Sequence, residues 1–303
     1  RMGFIPLWIP ITIAGAVAQV VRNGAQASLT GRIGTLGATQ VRFVFGLPFA
    51  VLFLGAALWV SGSALPAVGP VSLGWVTLGA VSQIGATALM LLVMHRRAFG
   101  VAYAYIKTEP VIVALLGVIL LGDHLPLLAW LAVMVVTGGV LLASVKPSQF
   151  RTLFSEGPMI AAGVSAGALF GLSAISFRGA IGALDEGSFF IRAMTMVAVS
   201  LAIQSALLGL WLAARDRAVF VASLREWRRS IGAGFLGAVA SVCWFTAFSL
   251  TPAANVRTLG LIEMPLAAAI SGRLSGRAMA GHELLGLTVV MVGVAMLLVS
   301  LAT

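Results

Sequence analysis

The sequence predicts an all-α membrane protein with ten transmembrane helices arranged as two inverted five-helix repeats. Of its 303 residues, 60% are hydrophobic and only 9% are charged, whereas about a quarter of the residues of a soluble domain are charged. The mean hydropathy of +1.07 also excludes a disordered chain, because disorder requires low hydrophobicity. The apolar runs are continuous rather than alternating, which excludes a membrane barrel and favours helices.

Ten apolar runs, each bounded by glycine, proline or charged residues, approach the length of about 20 residues that a helix needs to cross a bilayer. The predicted spans are residues 4–26, 36–60, 71–95, 98–121, 125–145, 157–179, 187–213, 231–250, 254–272 and 283–302. A single cysteine, Cys243, excludes a disulfide framework and a thiolate metal cluster.

The net charge of +10 is distributed unevenly among the predicted loops. Every second loop contains lysine or arginine, and these residues are Arg32, Arg96, Arg97, Lys146, Arg151, Arg215, Arg217, Arg225, Arg228, Arg229, Arg273 and Arg277. The loops near 61–70, 122–125, 180–186 and 251–253 contain neither residue type. Basic loops remain in the cytoplasm, so we expect a multi-pass protein of a bacterial inner membrane with both termini in the periplasm. The basic loops are expected to meet membrane lipids and not nucleic acid.

The longest basic stretch divides the chain into two parts with five spans each. The predicted first repeat is 1–146, the cytoplasmic linker is 147–156 and the second repeat is 157–303. An odd number of spans makes the second repeat enter the membrane inverted, which is the plan of many secondary transporters. Pro110 and Pro265 lie at similar depths in spans four and nine, as duplication would require. A rival alignment pairs residues 104–108 with 254–258 and remains open.

These features resemble the drug/metabolite transporter superfamily, and within it the EamA-type exporters that include the YddG-like amino-acid exporters. The resemblance rests on the ten spans, the two prolines, and the motifs Gly122-Asp123-His124 and Gly281-His282-Glu283 before spans five and ten. Gly122-Asp123 departs from the Gly-Glu that is usual in the family. The resemblance implies a central cavity between the repeats, export by alternating access, and no cofactor.

Charged residues inside a membrane are costly and therefore indicate function. Lys107 and Glu263 are the main candidates for substrate binding, because one cation and one anion complement the two charges of an amino acid. Glu109 is a third candidate. The alternatives are that Lys107 pairs with a carboxylate only to make burial tolerable, or that a glutamate carries a proton.

Polar and aromatic residues at mid-span depth are the remaining candidates for the substrate-binding cavity, and Pro110 and Pro265 are candidate hinges. The cavity candidates are Gln19, Ser82, Gln83, Tyr103, Tyr105, Ser241 and Trp244.

The predicted function is export of amino acids and related small metabolites by a secondary transporter that is not an enzyme and has no metal. We expect a monomer. One alternative is a transporter of drugs, nucleosides, sugars or other metabolites with the same fold. A less favoured one is an intramembrane enzyme, which needs a clustered dyad, whereas Asp123-His124 and His282-Glu283 lie at loop ends.

Overall fold

The computed structural model describes residues 6–96, 105–146, 148, 157–266 and 280–301, which are mostly helical and contain no strand. The helices, numbered along the chain, are α1 (Trp8–Ser61), α2 (Pro70–Arg96), α3 (Glu109–Leu121), α4 (Leu127–Ser144), α5 (Gly157–Gly182), α6 (Phe189–Arg215), α7 (Arg217–Arg225), α8 (Trp227–Leu250), α9 (Ala253–Gly260) and α10 (Gly281–Ser300).

These helices make the chain an all-α, multi-pass membrane protein. Among the described residues, seven helices are long and apolar enough to cross a bilayer. Helical residues also occur within each of the ten predicted spans. The total of ten crossings and the inverted repeat stay predictions. The linker at 147–156 lies almost entirely outside the described residues.

Helix α1 is two helical arms joined at Gly34. A straight helix of its 54 residues would be about 80 Å long, far more than the hydrocarbon thickness of about 30 Å. Gly34 has a φ of 71°, which interrupts the helix and which glycine adopts at little cost. Across the bend, the Gln26 side-chain amide donates to the Ala38 carbonyl oxygen at 2.9 Å. The loop predicted between residues 26 and 36 was therefore wrong, since one glycine breaks an otherwise helical chain.

Contacts group the chain into two compact units, and the first contains Arg1–Ile84 and Ser176–Thr251. Both arms of α1 pack against α8. A Cβ atom added at Gly15 would lie 2.9 Å from the Cβ atom of Cys243, and one added at Gly234 would lie 2.6 Å from the Cβ atom of Phe45. Small residues allow this close approach, which supplies packing energy in a membrane.

The second unit contains Gly85–Ile175 and Pro252–Thr303. Its helices α4 and α10 approach so closely that a Cβ atom added at Gly139 would lie 2.7 Å from the backbone nitrogen of Val290. Gly293 packs in the same way against Val136. Each compact unit thus combines helices from both predicted sequence repeats.

Candidate functional site

Two interrupted helical segments of the second unit carry its embedded charges. In the first segment, residues 105–106 are helical, 107–108 form a turn, and α3 begins at Glu109. In the other, α9 is followed by a turn at 261–262, and helix resumes at Glu263. Each glutamate is thus the first helical residue after a turn. Pro110 and Pro265 follow within two positions, where a missing backbone N–H costs little.

The first ion pair joins Lys107 to Glu263 across these segments. Lys107 Nζ lies 2.5 Å from Glu263 Oε1, and the two side chains are 11% and 4% exposed. Burial and pairing occur together, as expected for charges that water does not solvate. The structure thus brings together the two main candidates for substrate binding, and their binding of substrate stays a prediction.

A second ion pair joins the same two segments, but here the second segment supplies the cation and the first supplies the anion. The sequence did not predict this pair. Arg257 Nε lies 3.1 Å from Glu109 Oε1, with side chains 13% and 6% exposed. Glu109 lies in the first turn of α3 and Arg257 in the last turn of α9, where the helix dipoles favour these charges. Arg257 was not among the residues that the sequence indicated as functional candidates. The sequence does show that each segment contains one cation and one anion, and this pattern could have indicated a second ion pair.

The two pairs are reciprocal, because each segment supplies the cation of one pair and the anion of the other. The four formal charges therefore cancel. Losing one partner of a buried pair leaves an uncompensated charge, at a cost of about 3–5 kcal/mol. The two ion pairs favour holding the segments together. Each charged residue at one interruption has a partner of opposite charge at the other.

A glycine stripe on α5 lies against the first interrupted segment. A Cβ atom added at Gly163 would lie 2.5 Å from the Cβ atom of Tyr105, and one added at Gly167 would lie 2.6 Å from the carbonyl oxygen of Ile106. Glycines four residues apart lie on one face of a helix and allow this close approach. The Thr108 hydroxyl donates to the Tyr105 carbonyl oxygen at 2.9 Å, which satisfies one backbone acceptor at the break, as a nonpolar surrounding requires.

The predicted tyrosines have different outcomes. Tyr105 is 7% exposed and packs in an apolar cluster with Val93 and Val145, so its ring contributes to the core of the second unit. Tyr103 lies outside the described residues.

Three further candidates take part in hydrogen bonds within the first unit. The Trp244 indole N–H donates to Gln19 Oε1 at 3.1 Å, so two predicted residues from different helices meet. The Gln204 side-chain amide donates to Gln83 Oε1 at 2.7 Å. Gln204 was missed, although an amide in the middle of the apolar helix α6 was a usable signal.

The two remaining candidates are serines. Ser82 is buried and Ser241 is half-buried. Within the described ranges, no group of three or more His, Cys, Asp and Glu residues could hold a metal ion.

Comparison with known proteins supports the fold and leaves the family open. No family model and no curated protein matches the chain. A solved structure described as "Crystal structure of protein" is similar, with a TM-score of 0.71 and 15% sequence identity over 95% of each chain. Such a likeness shows a shared fold, and function has to be argued from the site.

Proposed function

We propose that this protein is a bacterial inner-membrane secondary transporter of the drug/metabolite transporter superfamily, of the EamA type, which exports amino acids and related small metabolites by alternating access. The observation that carries the proposal is the pair of reciprocal ion pairs at two helix interruptions. Interrupted helices are where secondary transporters place their substrate and ion sites, and ionisable residues embedded in a membrane indicate a functional site.

The Lys107–Glu263 pair suits a zwitterionic substrate. The substrate carboxylate takes the place of Glu263 at the Lys107 ammonium, and the substrate ammonium takes the place of Lys107 at the Glu263 carboxylate. Each buried charge exchanges one partner of opposite sign for another, so no charge is left uncompensated. The substrate-free and the loaded site have the same net charge, and both can reorient across the membrane.

The Arg257–Glu109 pair has a different role in this proposal. It holds the interrupted segments together while Lys107 and Glu263 separate to admit substrate. Its members also lie where the dipoles of α9 and α3 favour them. We therefore assign binding to the first pair and positioning to the second.

Transport into proteoliposomes tests the proposal. Purified protein is reconstituted, and uptake of labelled amino acids, nucleosides and sugars is measured with and without a pH gradient. We expect saturable uptake of at least one amino acid, absent from empty liposomes and from a Lys107→Met/Glu263→Gln variant that reconstitutes equally well. Uptake confined to nucleosides, sugars or drugs would support the alternative substrate classes, and no uptake of any compound would refute the transporter proposal.

A further inference from the structure

The short helix α7 and the bend of α1 line an open cavity at the surface of the first unit that the transport proposal does not use. The cavity has a volume of about 600 Å³ and is lined by Arg32, Ile33, Arg217, Ala218, Val221, Ala222, Arg225 and Glu226. This volume is within the range of about 300–1,000 Å³ that is common for small-molecule sites.

The lining residues of α7 follow the helical repeat. Residues 217, 218, 221, 222 and 225 recur at intervals of one, three, one and three, and therefore form one face of the helix. The helix is held in place by packing: Ala222 contacts the apolar cluster of Leu29 and Ile33, and a Cβ atom added at Gly37 would lie 3.2 Å from Val219. The face with Arg217 and Arg225 is thus presented to the cavity by a fixed helix.

The charge of the cavity is positive, with three arginines and one glutamate. Glu226 Oε2 lies 3.9 Å from Arg32 Nη1, and these side chains are 26% and 50% exposed, which makes this a weak ion pair. The same oxygen lies 3.4 Å from Arg229 Nη1, and Arg229 does not line the cavity. Arg32 can therefore turn to an incoming anion while Glu226 keeps a partner. The nearby Asp216 carboxylate accepts from the backbone N–H of Val219 at 3.1 Å and caps α7.

The remaining lining residues are apolar and distinguish between possible anions. Ile33, Ala218, Val221 and Ala222 form about half of the wall, and the large apolar side chains of Leu224 and Trp227 are exposed next to it. Three guanidinium groups bind phosphate oxygens well. An apolar wall suits the carbon chain attached to such a phosphate, and basic pockets between membrane helices are known to hold lipid headgroups.

We propose that this cavity binds the phosphate headgroup of an anionic membrane lipid. Arg32, Arg217 and Arg225 contact the phosphate, and the apolar wall contacts the glycerol and the first carbons of the acyl chains. The site shares no residue with the proposed transport site and does not depend on what is transported.

Native mass spectrometry of the full-length protein in detergent, titrated with phosphatidylglycerol or phosphatidylcholine, tests this proposal. We expect phosphatidylglycerol to bind more tightly, and the Arg217→Gln/Arg225→Gln variant to lose about 25-fold in affinity, at about fivefold for each arginine that contacts the phosphate directly. The matched control is Arg215→Gln/Arg228→Gln, which removes the same charge from exposed residues of the same region that do not line the cavity. Its affinity should remain close to wild type.

Two further measurements keep the proposal falsifiable. Glu226→Gln removes the single acidic lining residue and should tighten phosphatidylglycerol binding, even if the double arginine variant fails to fold. Inorganic phosphate at millimolar concentration should not displace the lipid. Equal losses in both double variants, or displacement by phosphate with no preference between the lipids, would overturn the lipid assignment, and the second result would identify a free phosphate compound as the ligand.

Discussion

Lys107 and Glu263 carry opposite charges at a depth where either charge alone would be costly. They lie in different predicted repeats, 156 residues apart, yet their side chains meet at 2.5 Å. A buried pair of this kind adds little net stability, because desolvation offsets most of the attraction. The proposed role in substrate binding therefore explains this pair better than a contribution to folding does.

A double-mutant cycle separates the contribution of this pair to stability from its proposed role in export. Lys107→Met and Glu263→Gln should each destabilise the protein, by about 3–5 kcal/mol, because the partner charge stays buried. The combined variant should recover most of that stability, since no unpaired charge remains. Thermal unfolding of the purified proteins in detergent measures the loss of stability and its recovery.

Amino-acid export by the same variants tests the proposed role of the pair in transport. All three should lose amino-acid export, and the combined variant should lose it despite its recovered stability. Near-normal export by both single variants would show that the pair is structural.

Trp244 offers a test of the hydrogen bond to Gln19. Trp244→Phe keeps an aromatic ring and removes the indole N–H, which leaves Gln19 without this donor. We expect a loss of about 0.5–1.5 kcal/mol in unfolding free energy, the usual net value of one hydrogen bond. The control is Trp59→Phe, because Trp59 is 85% exposed. Equal melting temperatures for the two variants would contradict a role for this hydrogen bond.

At the scale of elements, the two interruptions are the distinctive feature of the second unit. Proline in a helix interior is disfavoured by about 3 kcal/mol relative to alanine, but in the first turn it costs little. Pro110 is the second residue of α3, so it stabilises the break before it rather than kinking the middle of a helix. Pro265 is the third helical residue after the turn at 261–262 and thus also lies in a first turn.

Replacing Pro110 by alanine should favour a continuous helix through residues 107–108 and displace Lys107 from its position. We expect a slower export rate with a smaller change in substrate affinity, because the change affects reorientation more than contact with the substrate. Transport kinetics in proteoliposomes measure both quantities. Pro158→Ala is the matched control, since Pro158 is the exposed second residue of α5. A Pro110→Ala rate equal to that of the control would exclude a hinge at this position.

At the scale of the whole molecule, the charge of the loops predicts the orientation in the membrane. Single cysteines at Ala64 and Ala214, in a Cys243→Ala background, should react oppositely with a membrane-impermeant thiol reagent on intact cells. Both positions are exposed, whereas Ser223 in the same predicted cytoplasmic region is fully buried and would give no signal. We expect labelling at position 64 and protection at position 214. The reverse pattern would show that both termini face the cytoplasm.

Hydropathy was sufficient to predict an all-α, multi-pass membrane protein, because a segment that crosses lipid must satisfy its backbone hydrogen bonds internally and be apolar over a minimum length. Both requirements act on contiguous residues and can be read from a single segment. The predicted span of 157–179, for example, corresponds to α5 at Gly157–Gly182. The cost of embedded charge likewise indicated Lys107 and Glu263 as candidate functional residues before any contact was known.

Tertiary structure decided what depends on residues distant in the chain. The sequence shows that Arg257 and Glu109 are charged, but only the packing of α9 beside α3 brings them within 3.1 Å. Gln204 becomes a partner of Gln83 for the same reason, and the bend at Gly34 depends on one backbone torsion angle that no hydropathy pattern reports. Segment composition determines which helices form, whereas the choice of partner for each buried polar group depends on how those helices pack, because complementary groups have to meet in space.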